Sequence, residues 1–192
     1  HYAPDNSLEL PSTSHFSIVD AAGNVVSMTT TIENGFGSRL MVGGFLLNNE
    51  LTDFSFVPEV DGKLVANRIE PGKRPRSSMA PTIIMKEGKP VLAIGSPGGS
   101  SIIPYVAKTI IAWIDWDMDI QQAIELPHLV NKFGRYDLEK GTAAEKFAKP
   151  LEMLGFVTET RDLNSGLHGI EITPEGLEGG ADPRREGLAV GK

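Results

Sequence analysis

Thr13 places a hydroxyl at the point where a polar loop changes into an alternating strand. The preceding residues contain two prolines and show no periodicity, whereas Phe16 and Ile18 alternate with neighbouring residues after it. If the bond between Ser12 and Thr13 were cut, Thr13 would become an N-terminal nucleophile whose freed α-amine is its base. On these residues alone, a surface loop that enters an ordinary strand is the more common explanation.

A second hydroxyl is expected close to Thr13 on a neighbouring strand. A four-residue turn and a second alternating segment follow the first strand, which predicts a β-hairpin. If Asp20 faces Val25, Thr31 lies opposite Ser14 and diagonal to Thr13, within a one-residue slip of register. Cross-strand threonines also occur for β-propensity alone, and that explanation stays open.

Gly98 and Gly99 lie between a predicted strand and an apolar helix predicted over residues 101–115. Glycines allow a sharp turn there, and the amides at a helix start can bind an anion. The glycine patterns of nucleotide-binding loops are absent, which argues against a phosphate. An oxyanion hole and a plain tight turn remain as the two interpretations.

The histidines do not form a recognisable site. His1, His15, His128 and His168 are scattered without the spacing of metal ligands, so neither a metal nor another cofactor is expected. No Ser-His-Asp arrangement can be assembled from the spacing, and a structural hydrogen-bonding role is expected for His15. An N-terminal nucleophile requires no histidine.

The composition limits the partners of this 192-residue chain. Its net charge of -7 and lack of a dense basic cluster argue against nucleic acid or an anionic membrane surface. It contains no cysteine, which excludes disulfides and thiol chemistry. It has no uninterrupted apolar stretch of about 18 residues, so no membrane span is expected. The start at His1 suggests a processed product or part of a longer chain.

The hydrophobic pattern predicts one α+β domain after a linker at residues 1–12. The helix at 101–115 is apolar around most of its circumference and is expected to be buried. The other predicted elements are hairpins over residues 13–32 and 82–94, a short strand from residue 45, helices over 119–125 and 143–154, and strands over 156–160 and 168–173.

Six motifs occur in an order that is known from one family. They are Thr13–Asp20, Thr29–Thr31, Leu46–Phe54, Lys73–Met79, Gly95–Ser100 and Ala181–Arg184. With them, the chain resembles the small, catalytic subunit of γ-glutamyltranspeptidase, an N-terminal-nucleophile hydrolase. The resemblance implies an αββα four-layer sandwich of antiparallel sheets. It also implies that residues 1–12 end the large subunit and that residues 13–192 form the catalytic small subunit.

The resemblance further implies a precursor that cuts itself between Ser12 and Thr13. The mature heterodimer would take the γ-glutamyl group of glutathione or a related amide as an acyl-enzyme, which water or an amino-acid or peptide acceptor releases. The implied roles are Thr13 as nucleophile, Thr31 as its hydroxyl partner, Gly98 and Gly99 as oxyanion hole, Glu50 and Asp53 as ligands of the substrate α-amino group, and Ser77 and Ser78 as ligands of its α-carboxylate.

Two positions depart from the family pattern. Glu33 stands where many members carry an asparagine that contacts the substrate, and the segment Gly37–Phe45 is shorter than in members with a full lid. An arginine for the substrate carboxylate belongs to the absent large subunit. The resemblance suggests a periplasmic or secreted bacterial location.

Two alternatives accompany this interpretation. One is a glutaryl- or cephalosporin-type acylase of the same fold. The other is an unprocessed, inactive precursor fragment, because the chain still joins Ser12 to Thr13 and leaves Thr13 without a free amine.

Overall fold

The structure is a computed structural model that describes residues 2–3, 12–132 and 134–191. Most of the predicted linker therefore lies outside the described residues. The strands of the described part are β1 (Thr13–Val19), β2 (Val25–Thr31), β3 (Met41–Val42), β4 (Phe45–Leu46), β5 (Glu59–Val60), β6 (Lys63–Leu64), β7 (Thr82–Lys86), β8 (Lys89–Gly95), β9 (Leu129–Lys132), β10 (Arg135–Glu139), β11 (Val157–Arg161), β12 (His168–Thr173) and β13 (Gly176–Ala181). The α-helices are α1 (Ile102–Asp115), α2 (Ile120–Glu125) and α3 (Ala148–Met153), and 3₁₀ turns cover Glu50–Asp53, Gly99–Ser101 and Ala143–Phe147.

The first two strands form the predicted hairpin, but the predicted register is wrong by one residue. Val19 rather than Asp20 pairs with Val25, so Thr13 lies directly opposite Thr31. The reason lies in the turn, where the Asp20 carboxylate accepts hydrogen bonds from the amides of Ala22 and Asn24, both at 2.9 Å. This side-chain-to-backbone bonding takes Asp20 out of the strand and into the turn.

The hairpin has an unusual distribution of polarity. Its polar side faces the interior, where Ser27 Oγ donates to the carbonyl of Ile94 at 3.0 Å and Ser17 Oγ donates to that of His168 at 3.5 Å. Its apolar side is open: Phe16, Ile18, Val26 and Met28 are between 39% and 50% exposed. In antiparallel sheets the apolar side normally packs on the core and the polar side normally faces solvent.

The hairpin packs on a four-stranded antiparallel sheet in the order β13-β12-β8-β7. Gly95 on β8 allows this approach, because a Cβ there would overlap the His15 ring. Helices α1 and α2 cover the opposite face of the sheet and enclose the core. The core residues are Leu92, Ile94, Ile102, Tyr105, Val106, Ile120, Ile124, Val130, Leu163 and Leu167.

The predicted α+β class is confirmed, since the strands are mostly antiparallel and the helices few. The only parallel pair within the described ranges is β10–β11, in a three-stranded sheet with β9. Helix α1 packs on the sheet as expected, but it is buried on one side only. Ile103, Ile111 and Ile114 are 46–57% exposed, because the sheet covers only one side of the helix.

Other predicted elements differ in extent. The strand expected from residue 45 ends at Leu46. Strands β9 and β10 were not predicted from the sequence. The helix expected over 143–154 begins as a 3₁₀ turn and becomes α-helical at Ala148, so Pro150 falls in the first α-helical turn, where its missing N–H is tolerated. Strand β13 was not predicted from the sequence either; it contains Gly179 and Gly180, and Gly180 lets Ile124 approach the backbone. No helix of the described chain is long and apolar enough to cross a membrane.

Candidate active site

Thr13 and Thr31 share a directed chain of hydrogen bonds. Thr31 Oγ1 accepts from the Thr13 hydroxyl at 3.2 Å and from the Glu33 amide at 2.9 Å. Because a hydroxyl carries one hydrogen, Thr31 is left to donate it to the carbonyl oxygen of Ser12, at 3.5 Å. The Ser12 hydroxyl in turn donates to the Glu33 carbonyl at 2.6 Å. The bond between Ser12 and Thr13 is therefore held beside both threonine hydroxyls.

His15 lies two residues further on the same side of β1 and has a structural role. Its Nδ1 is 2.8 Å from Thr29 Oγ1 and its Nε2 is 3.2 Å from Ser17 Oγ. Burial, with a smaller contribution from the charge of His168, lowers the pKa of His15 to about 4. The ring is neutral at pH 7 and both nitrogens are engaged, so it does not serve Thr13 as a base.

One cavity brings together the residues singled out in the sequence. It is lined by Thr13, Thr31, Glu33, Glu50, Asp53, Arg76, Ser77, Ser78, Met79, Gly99 and Ile102. Of the predicted site residues, Gly98 adjoins this lining without belonging to it, and Ser12 is held beside it through its hydrogen bonds. Three carboxylates and two serine hydroxyls thus share one cavity with Thr13.

The carboxylates of Glu33, Glu50 and Asp53 lie close enough in the cavity for their negative charges to repel one another. A 3₁₀ turn places Glu50 and Asp53 three residues apart, so that both reach the same side of it. Burial, followed by the neighbouring charges of Asp53 and Glu33, raises the pKa of Glu50 to about 7. Glu50 Oε1 is buried and, among the described residues, has no hydrogen-bond partner. The cavity thus holds an acceptor that a cationic ligand would satisfy.

Glu33 is held in this cluster by two residues that the sequence did not single out. Its carboxylate accepts from the side-chain amide of Asn49 and from the Thr52 hydroxyl, the latter at 3.3 Å. Glu33 has a φ of +66°, a strained value for a residue with a side chain. Arg76 belongs to the motif Lys73–Met79, but the sequence analysis gave it no role in the site. Its position directly before Ser77 was the available signal.

The glycine turn has the conformation that only glycine adopts readily. Gly98 has a φ of +139°, and a Cβ there would lie 2.7 Å from the Tyr105 ring. Gly99 has a φ of +56° and starts the 3₁₀ turn that continues into α1. Backbone amides at the start of a 14-residue helix suit a developing oxyanion. Within the described ranges, no group of three or more His, Asp or Glu side chains could hold a metal ion.

Comparisons with known proteins agree with this geometry. A sequence model of the gamma-glutamyltranspeptidase family matches residues 1–192. The glutathione hydrolase proenzyme of Bacillus subtilis (strain 168) is 43% identical over 185 residues, which are 93% of this chain and 30% of that relative. The acylase ACY 1 proenzyme of Pseudomonas sp. (strain SE83) is 35% identical over 95% of this chain and 32% of its own length.

A solved structure shows the same fold. The gamma-glutamyltranspeptidase of Pseudomonas nitroreducens, complexed with L-DON, superposes with a TM-score of 0.82 at 33% identity, covering 93% of this chain and 98% of that one. The chain spans about a third of the length of the curated relatives it matches. On the match over its whole length, the chain belongs to the gamma-glutamyltranspeptidase family.

Proposed function

We propose that the full-length protein is a self-cleaving γ-glutamyl transferase and hydrolase, and that residues 13–192 are its catalytic small subunit. Residues 1–12 are then the end of the large subunit. The observation that carries this proposal is the single cavity that joins the Thr13 hydroxyl to the carboxylates of Glu33, Glu50 and Asp53. Its physical basis is the complementarity of such a cavity to an amide substrate bearing an ammonium group.

The first step is cleavage of the precursor between Ser12 and Thr13. Thr13 Oγ attacks the Ser12 carbonyl carbon, the carbon–nitrogen bond breaks, and the proton of the hydroxyl moves to the released Thr13 nitrogen. Water then hydrolyses the resulting ester, which leaves a carboxylate on Ser12 and an amine on Thr13. The Thr31 hydroxyl supports this step, because it contacts the attacking oxygen and the carbonyl oxygen that becomes negative.

The mature reaction uses the same oxygen. The Thr13 amine, with an ordinary pKa of about 8, takes the hydroxyl proton as Thr13 attacks the γ-carbonyl of the substrate. The amides of Gly98 and Gly99 stabilise the oxyanion, and the amine of the leaving group departs with the proton. Water, or an amino-acid or peptide amine, then attacks the ester and regenerates Thr13.

The charge of the cavity favours a γ-glutamyl over a glutaryl substrate. A γ-glutamyl group carries an α-ammonium, which would pair with Asp53 and satisfy the open acceptor on Glu50. A glutaryl group lacks this ammonium and would leave the open acceptor on Glu50 unsatisfied, at a cost of about 1–3 kcal/mol. Ser77 and Ser78 supply hydroxyl donors for the α-carboxylate, and Arg76 adds a positive charge to the same lining.

The large subunit is the proposed partner, and it would complete an αββα sandwich. In this proposal the helices, the four-stranded sheet and the hairpin, which pack on one another in that order, would form three of the four layers. The exposed apolar side of the hairpin, with Phe16 and Met28 paired across it, is the surface on which the fourth layer would pack. The relatives' proenzymes contain the additional chain that this requires.

The test compares two substrates on full-length precursor. Hydrolysis of γ-glutamyl and glutaryl 4-nitroanilides is followed, together with release of glutamate from glutathione. We expect kcat/KM for the γ-glutamyl anilide to be higher by at least about fivefold, which corresponds to the lower end of the cost of an unsatisfied acceptor. A preference for the glutaryl anilide would support the acylase alternative. Absence of turnover by correctly cleaved protein would contradict both.

The raised pKa of Glu50 gives a second expectation, for the pH profile. Below about pH 7 the carboxyl is protonated and pairs poorly with an ammonium, and above it the group is ionised. The ratio of kcat/KM for γ-glutamyl over glutaryl anilide should therefore rise about tenfold between pH 6 and 8. The Thr13 amine acts on both substrates, so its titration cancels in the ratio. In the Glu50→Gln variant this ratio should no longer change with pH. If the ratio still rises between pH 6 and 8 in the variant, the rise is caused by the titration of another group.

A further inference from the structure

A fully buried polar group lies on the far side of the glycine turn from the cavity. Ser165 Oγ donates to Asp182 Oδ2 at 2.5 Å, and His128 Nε2 is 2.7 Å from Ser165 Oγ. Because the serine hydrogen goes to the carboxylate, His128 must be the donor to Ser165. Arg184 holds the other carboxylate oxygen of Asp182, at 3.1 Å. The hydrogen bonds of the four side chains run in one consistent direction, and His128 Nδ1 is left as a buried acceptor without a partner among the described residues.

This group has the residue types of a serine-hydrolase triad but cannot work as one. Ser165 is 0% exposed and His128 is 1% exposed, so no substrate reaches them. The carboxylate bonds to the serine and not to the histidine, which reverses the order a triad needs. Burial, with the nearby charges of Lys108 and Arg184, lowers the pKa of His128 to about 2, so the ring is neutral. A positioning role fits this arrangement.

Two contacts connect the group to the glycine turn through the backbone. The amide of Gly166, next to Ser165, donates to Ser96 Oγ at 3.2 Å, and Ser96 Oγ donates to the Pro97 carbonyl at 2.6 Å. Gly166 also packs closely on the Pro97 ring, since a Cβ there would lie 2.6 Å from it. The segment that Asp182 and Ser165 hold therefore holds residues 96–97, which directly precede the proposed oxyanion glycines.

A third contact reaches the turn through an aromatic ring. The His128 ring lies on the Tyr105 ring with 4.1 Å between centroids, and Tyr105 lies directly beneath Gly98. Both rings are buried, so a displacement of either is transmitted by close packing. His128 thus supports Gly98 from below, while Ser165 fixes His128 through their hydrogen bond.

We propose that Ser165 and His128 are positioning residues for the oxyanion turn, holding Gly98 and Gly99 in the conformation that stabilises the negatively charged intermediate. The proposal rests on the proposed γ-glutamyl transfer, because it assigns the turn that role. Neither residue touches substrate. Their loss should therefore lower kcat more than it changes KM, since ground-state binding occurs at Asp53, Ser77 and Ser78.

The test uses full-length precursor and three variants of buried hydroxyls. Ser165→Ala removes the side-chain hydrogen bonds to Asp182 and His128, while the Leu167 amide keeps its own bond to Asp182. Ser96→Ala removes the acceptor of the Gly166 amide. Thr109→Val is the control, because this buried hydroxyl, among the described residues, bonds within α1 to the Tyr105 carbonyl. For each protein, kcat and KM for γ-glutamyl 4-nitroanilide are referred to the amount of cleaved chain, measured by intact mass, and the melting temperature is recorded.

We expect Ser165→Ala and Ser96→Ala each to lower kcat about tenfold, part of the 10²–10³-fold effect of losing an oxyanion donor, with KM within about threefold. A double variant that combines Ser165→Ala with Ser96→Ala should lose about as much kcat as the more impaired single variant, because both changes act on one turn. The control should keep kcat within about twofold at a similar loss of melting temperature. If the Ser165→Ala precursor is not cleaved, the kcat and KM of Ser96→Ala are compared with those of the wild type and of the control.

The outcomes separate the two proposals. An inactive wild-type protein would contradict the γ-glutamyl transferase function itself. An active wild type with Ser165→Ala and Ser96→Ala indistinguishable from the control would overturn the positioning role alone. The positioning role would also be overturned if the variants raised KM and left kcat unchanged, or if their effects on kcat multiplied in the double variant.

Discussion

Thr13→Ala is expected to leave the full-length precursor uncut and to lower γ-glutamyl turnover by at least about 10³-fold. The physical reason is that one oxygen serves both steps: it attacks the Ser12 carbonyl during maturation and the substrate carbonyl afterwards. In the structure, the Thr13 hydroxyl is 3.2 Å from Thr31 Oγ1, and the same Thr31 hydroxyl contacts the Ser12 carbonyl oxygen. Intact mass spectrometry after incubation reports cleavage, and anilide hydrolysis reports turnover.

Thr13→Ser is the matched control, because it keeps the hydroxyl and removes only a methyl group. It should cleave and turn over, at rates that depend on how well the smaller side chain is oriented on β1. If Thr13→Ala precursor were cut at the same bond as the wild type, the cleavage would not be intramolecular attack by Thr13. A serine variant that stays intact would instead make the methyl group essential for orientation.

Asp53→Asn is expected to lower kcat/KM for γ-glutamyl 4-nitroanilide by about 30-fold, equivalent to about 2 kcal/mol. The change keeps the size of the side chain and removes the negative charge that would pair with the substrate ammonium. It also removes one of the charges that raise the pKa of Glu50, so Glu50 should ionise at lower pH in the variant. Steady-state kinetics at several pH values measure both effects.

The glutaryl anilide provides the contrast for this prediction, because it lacks an ammonium. Its kcat/KM should be unchanged or improved by Asp53→Asn, since a repulsive charge in the cavity is lost. Asp115→Asn, an exposed carboxylate at the end of α1 and outside the cavity, should leave both substrates unaffected. Equal losses for the two substrates with Asp53→Asn would point to damage to the cavity and not to loss of an ion pair.

Local patterns were sufficient for the elements that carry the site. The strand that begins at Thr13, the hairpin and the glycine turn before an apolar helix depend on neighbouring residues, and all three are found in the structure. The ordered motifs then identified the family. The cavity confirms that Glu33, Glu50, Asp53, Ser77 and Ser78 lie together, although their roles toward a substrate stay predictions.

Other features depended on side chains that meet only after folding. The pairing of Thr13 with Thr31 was missed by one residue, because the Asp20 carboxylate bonds to turn amides and shortens the strand. Strand β13 was missed because Gly180 is typical of a turn until Ile124 is packed against it. Asn49 and Arg76 were missed because nothing local distinguishes a cavity residue from a surface one.

The sequence by itself determined that a hydroxyl nucleophile, an acidic cluster, paired serines and a glycine turn occur in one chain and in the order of one family. Only the tertiary structure decided that Glu50 is half-buried beside two further carboxylates and that Ser165, His128 and Asp182 meet beneath the glycine turn. The reason is distance along the chain. Periodicity and turn chemistry act over a few residues, whereas burial and charge coupling depend on segments that only the packed core brings into contact.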